Sequence, residues 1–173
     1  MKVKVVQKQA NGKKCIVCGL KNEFGLKSEF YELENGELLS LCKTGELHQS
    51  YPGRVHGGVS SAILDEVIAR AIAIKEPGIW GVTVELNIKY KKPVPLEQEI
   101  KAIGRITRNT RKIFEGSGEI ILENGDIAVT ATGKYIKMPI EKISGESLDD
   151  DEWTLNITDN DLKEIDIPQK NIQ

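Results

Sequence analysis

The chain has no long apolar run. Its most apolar stretch is interrupted by Asp65, Glu66 and Arg70, and its clean pieces fall far below the ~20 residues that span a bilayer. No apolar h-region opens the sequence either, so neither a membrane span nor a signal peptide is expected and the reading is cytoplasmic. One-sided charge is also missing. Lys and Arg number 24 against 26 Asp and Glu, and a net charge of −2 gives no general reason to expect nucleic-acid binding. The three cysteines, Cys15, Cys18 and Cys42, cannot all pair among themselves, which favours a reducing compartment.

Cys15-x-x-Cys18 has no second pair, and one such motif is weak as a zinc site. Cys42 and His48 would be needed to complete a Cys3His set. A redox role would require a thioredoxin-like context that the sequence does not show. Reduced cysteines packing a turn over a sheet are expected instead. There is no glycine-rich phosphate loop. No serine or cysteine stands with His56 in a triad-like motif, which leaves nucleophilic Ser or Cys chemistry without support.

What is present is one globular domain's worth of chain, 173 residues with 39% hydrophobic content. Its organising stretch is His48–Gly78. From Gly58 to Lys75 it reads as a helix whose apolar residues, among them Val59, Ile63, Leu64, Val67, Ile68 and Ile72, leave no polar stripe. A helix apolar all round is buried on all sides, and a curved sheet is the natural wrapping. Gly57 and Gly58 stand at its first turn, where backbone N–H groups lack helical partners and the helix dipole is positive. That suits a carbonyl oxygen gaining negative charge. Asp65 lies in mid-helix, where a buried carboxylate costs several kcal/mol unless paired or hydrated. Eight residues separate Gly57 from Asp65, roughly 12 Å along a helix. An oxyanion donor and a base must both lie within about 3 Å of the reacting atoms. One helix cannot supply both, and two antiparallel copies can. A two-fold dimer with composite sites is therefore expected.

The triplet His56–Gly57–Gly58 followed by six residues and Asp65, with YPGRVHGG, GVTVELNIKYKKPV (Gly81–Val94) and the leader CIVCG, resembles the hotdog-fold acyl-CoA thioesterases of the phenylacetate-pathway and THEM-like branch. The resemblance covers most of the chain. It implies hydrolysis of an acyl-CoA thioester with no metal or other cofactor, coenzyme A being part of the substrate, by a homodimer or dimer of dimers. It gives Asp65 the part of general base or of nucleophile, and both stay open. Gly57 N–H would polarise the thioester oxygen, with Gly58 as a lesser donor. His56 would act in the mechanism or orient the helix entry. Relatives often carry an asparagine six residues before that histidine; Ser50 stands here, and Gln49 could supply the amide. Thr83 matches a residue that positions water beside the acid. Arg108, Arg111 and Lys112 match a turn that contacts coenzyme A.

The rest of the chain supports an α+β hotdog fold, an antiparallel sheet wrapped around one long central helix. Leu26–Leu33 and Glu37–Lys43 read as strands joined by a turn at Asn35–Gly36. Pro77–Gly78 stops the helix. Trp80–Lys91 alternates Val82, Val84, Leu86, Ile88 and Tyr90 against Thr83, Glu85, Asn87 and Lys89, as a half-buried strand does. Glu99–Thr107, Lys112–Leu122 and Asp126–Lys137 follow as further strands. Three regions result: a basic leader with the Cys-x-x-Cys over 1–25, the thioesterase domain over 26–143, and an acidic tail over 144–173. In the tail Glu146, Asp149, Asp150, Asp151, Glu152, Asp159, Asp161, Glu164 and Asp166 face Lys163 and Lys170, and most of it should be solvated. Without it the body is net positive, which suits an anionic substrate. Two other functions compete: an acyl-CoA-binding regulator without catalysis, which would leave Asp65 no purpose, and a hydratase or dehydratase, whose Asp–His motif is not found.

Overall fold

The computed structural model describes residues 1–144 and 151–167. Glu146, Asp149, Asp150 and Lys170 of the expected tail lie outside the described residues. The chain runs β1 (Lys2–Lys8), β2 (Asn11–Gly12), β3 (Glu29–Leu33), β4 (Leu38–Lys43), α1 (Gly57–Arg70), α2 (Ile72–Lys75), β5 (Ile79–Tyr90), β6 (Glu99–Asn109), β7 (Ile113–Ile121), β8 (Ile127–Pro139), α3 (Ile140–Ser144), β9 (Trp153–Thr154) and β10 (Glu164–Asp166). Eight strands form one antiparallel sheet in the order β10-β1-β3-β4-β6-β7-β8-β5, and β2 pairs with β9 apart from it. The turns lie where their residues predict: Gly36, Gly78 and Gly125 all adopt positive φ, the conformation that costs glycine least.

The sheet curves around α1, as expected. Ile63, Leu64, Val67 and Ile68 of α1 are fully buried against Phe30, Leu38, Ala102, Phe114 and Ile120. Close approach requires glycine beneath them. A Cβ on Gly104 would collide with the Val67 carbonyl, and one on Gly116 with the Ile68 side chain. The wrapping is incomplete, however. Gly58 is exposed, and Ala62, Asp65, Ala69 and Ala73 are only partly covered. Their spacing of three and four residues makes them one stripe along the helix. That stripe looks out past β5, the edge strand of the sheet.

The strand β5 departs from the single alternation expected of Trp80–Lys91. Its register against β8 shifts between Thr83 and Glu85. Such a bulge inserts one residue and re-aims the side chains on either side of it. Gly81 and Thr83 therefore face α1 before the shift, while Leu86, Ile88 and Tyr90 face it afterwards. Val84 is left 55% exposed.

At the flanks the basic leader forms a strand, and the acidic tail, expected to be mostly solvated, supplies the strand beside it. The leader strand β1 pairs with β3 and with β10 of the tail. Val3, Ile165, Leu33, Leu39 and Ile121 close a second small core, with Leu162 and Ile167 against it. Charge complements this packing: Lys2 pairs with Glu164 at 2.6 Å, and Lys8 with Asp161 at 2.7 Å. Basic leader and acidic tail neutralise each other across the sheet. No helix among the described residues is long and apolar enough to cross a membrane.

Candidate active site

The start of α1 is shaped by His56. Its backbone is extended (φ −61°, ψ 136°), and its Nδ1 accepts the Gly58 N–H at 2.9 Å, which caps the helix. The His56 carbonyl accepts the Val59 and Ser60 amides. The Gly57 N–H, between these satisfied groups, has no partner among the described residues. The Gly57 carbonyl is held from behind, by the Tyr90 hydroxyl at 2.9 Å and the Ser61 hydroxyl at 3.0 Å. One fixed, unpaired donor thus sits at the positive end of the helix dipole. The Gly58 amide, offered by the sequence as a second donor, is occupied by His56.

Two turns further on, Asp65 is half-buried on the open stripe. Thr83 Oγ1 lies 3.0 Å from its Oδ1 and 3.2 Å from its Oδ2, and the Tyr135 hydroxyl lies 3.1 Å from Oδ1. Burial pushes the Asp65 carboxyl above its ordinary range, and the hydrogen bonds from Thr83 and Tyr135 pull it part of the way back. Burial and then the Asp65 charge push the Tyr135 hydroxyl up, so it stays protonated and donates to the Asp65 carboxylate. The bulge in β5 brings Thr83 to this position. Glu66 turns away and pairs with Arg70 one turn on, at 2.7 Å.

Tyr135 is the partner of Asp65 that sequence reasoning passed over. Its signal was Gly133, two residues earlier on the same face of β8: a Cβ there would stand 2.5 Å from the Tyr135 ring, so the glycine makes room for it. Tyr90, placed by the sequence only in the alternation of its strand, fixes the Gly57 carbonyl with its hydroxyl. Arg54 and Lys91 were not singled out either, and they line a hollow of about 380 Å³ beside Gly57 and Tyr90.

The remaining expected residues fall into two places. Gln49 lies in the loop that leads to His56, where its Oε1 accepts the Gly53 N–H at 3.0 Å and its amide nitrogen is unpartnered among the described residues. Arg108 is exposed at the end of β6, and Arg111 and Lys112 occupy the exposed turn that leads to β7. Asn109, the last residue of β6, reaches Glu76 at 2.8 Å, just past the C-terminal end of the helices. Within one chain, the basic turn and Gly57 therefore stand at opposite ends of the helical rod. The Cys3His set does not assemble. Cys15, Cys18 and Glu66 are the group of potential metal ligands among the described residues, and neither Cys42 nor His48 belongs to it.

Comparison with known proteins follows the same elements. The model of the thioesterase superfamily matches residues 52–129. Acyl-coenzyme A thioesterase THEM4 of Mus musculus is 33% identical over 65% of this chain and 48% of its own length. Acyl-coenzyme A thioesterase 13 of Homo sapiens is 28% identical over 58% of this chain and 67% of its own. A crystal structure described as a thioesterase superfamily protein superposes with a TM-score of 0.66 and 26% identity, over 71% of this chain and 63% of that one. The matched stretch is about half the length of the mouse relative.

Proposed function

We propose that the chain, which matches the thioesterase superfamily over residues 52–129 and has the hotdog fold, hydrolyses acyl-CoA thioesters at a site shared between two copies. One observation carries this reading: Asp65, held by Thr83 and Tyr135, and the unpaired Gly57 N–H share the uncovered flank of a single helix, too far apart to serve one carbonyl. Antiparallel pairing of two such flanks along β5 brings the amide of one copy to the acid of the other. The unpaired edge of β5 supports this, since a long exposed edge strand invites pairing. The same pairing carries the Arg108–Lys112 turn of one copy to the Gly57 end of its partner, where the phosphates of coenzyme A would meet it. Stacking of dimers on their outer faces leaves the site unaltered, so a dimer of dimers is compatible with this arrangement.

The thioester oxygen accepts the Gly57 N–H, which stabilises the oxyanion as water adds to the carbon. Asp65 of the second copy takes the proton of that water and returns it to the departing thiolate, so acid and thiol leave with the elements of water conserved. Its raised pKa favours the general base over the nucleophile. Thr83 and Tyr135 orient the carboxylate, Gln49 offers its free amide nitrogen to carbonyl or water, and His56 fixes the helix entry. No metal or redox cofactor is required, and the three free cysteines suit a cytoplasmic setting. Release of free thiol from a panel of acyl-CoAs by the purified chain tests the reading. Turnover is expected, and acyl-CoA binding without thiol release would overturn it.

A further inference from the structure

Cys15 and Cys18 lie away from the thioester site and are unused by it. The loop bearing them folds into a turn, closed by the Gly19 N–H on the Cys15 carbonyl at 2.8 Å. Their sulfurs lie within 4.8 Å of each other. The two differ in access. Cys18 is wholly buried, whereas Cys15 is half-buried and borders a cavity of about 680 Å³ beside Trp80 and Trp153.

Both sulfurs have donors around them, and Cys15 Sγ also lies 4.0 Å from Glu66 Oε1, an acceptor for its thiol. Cys15 Sγ accepts the Val17 and Cys18 amides at 3.3 and 3.4 Å, and Cys18 Sγ accepts the Gly12 amide at 3.2 Å and Arg70 Nη2 at 3.0 Å. Arg70 is itself 6% exposed, pinned by Glu66 and stacked on Phe30. The Cys15 hydrogen bond and burial push the Cys18 thiol up, and the Arg70 guanidinium opposes that rise without overcoming it, so Cys18 rests as a thiol. We propose that Cys15 and Cys18 form a thiol–disulfide exchange site, separate from the thioester site, whose substrates are low-molecular-weight disulfides entering by the cavity beside Trp80.

Cys15 is the attacking sulfur. It is the sulfur that borders the cavity, and the hydrogen bond from the Cys18 thiol, with the two amides, lowers its pKa against burial and the Glu66 charge, so it ionises more readily than Cys18. Its sulfur attacks one sulfur of R–S–S–R, forming a mixed disulfide and expelling RS⁻. The Cys18 thiol then attacks Cys15 Sγ. The Cys15–Cys18 disulfide forms, and the second R group leaves as RSH with the Cys18 proton. The incoming disulfide is thereby reduced to two thiols while the pair is oxidised. Arg70 serves the second step by stabilising negative charge on Cys18 as it attacks. Glu66 makes a third potential metal ligand, yet Arg70 already places its positive charge on both Glu66 and Cys18, where a bound cation would have to compete. Cys42 is an internal control: burial pushes its thiol up to about 11, and it should stay inert.

The test uses the full chain and 2-hydroxyethyl disulfide, followed by intact mass and peptide mapping. The wild type should lose two hydrogens, mapped to a Cys15–Cys18 link, at a rate at least ~10-fold above any reaction of Cys42. Cys18→Ser should instead accumulate one adduct on Cys15. Three free thiols persisting in the wild type would overturn the proposal. So would an adduct on wild-type Cys15 that never closes, or protection of both thiols by equimolar zinc chloride.

Discussion

Asp65 combines a mid-helix position, partial burial and two hydroxyl donors, and each makes a separate prediction. Asp65→Asn should lower kcat by roughly 10²–10⁴-fold, the usual scale for a general base, measured by thiol release. The variant should also be no less stable in urea. The folded-state pKa of Asp65 lies above its ordinary value, so the native chain binds that proton more tightly than the unfolded one, and ionising it above the carboxyl range costs stability that asparagine does not. Tyr135→Phe removes a donor that favours the charged carboxylate. The acid limb of the pH–rate profile should therefore move to higher pH, whereas a purely structural role for Tyr135 would lower the rate without moving that limb. At this scale the sequence disclosed Asp65, Gly57 and His56, because mid-helix acids and helix starts have fixed spacing. It hid Tyr135, which meets Asp65 across 70 residues of intervening chain.

At the scale of elements, the long helix and the order of strands were legible. Apolar periodicity, Asn35–Gly36 and Pro77–Gly78 are local signals with local causes. Strand β5 was read only in part. Its alternation looked unbroken because a bulge at Val84 leaves no mark in a run of valines and charges. Without that bulge, Thr83 and Leu86 could not both face α1. The glycines under the helix are equally specific. Gly104→Ala should destabilise the fold by about 1–3 kcal/mol in chemical denaturation, since its Cβ would meet the helix backbone rather than a side chain that can yield. Val84→Lys places a charge on the free edge of β5 and should weaken self-association by about 10-fold or more, seen in sedimentation.

Across the whole molecule, leader and tail were read separately, as a basic segment and an acidic one. Charge composition alone predicts solvation for each; only their apposition shows Lys2, Lys8 and Val3 meeting Glu164, Asp161 and Ile165. The composite site is also a property of this scale, because it requires a second copy. Mixing two inactive chains measures it most directly. Asp65→Asn keeps the Gly57 amide. Gly57→Pro removes that amide at the first helical position, where proline is tolerated and the extended His56 before it already has the required conformation. Unfolded together and refolded as an equal mixture, the two should recover about a quarter of wild-type activity, because half of the dimers are mixed and each mixed dimer has one intact site. Activity no higher than that of the separate variants would contradict a site built from two copies.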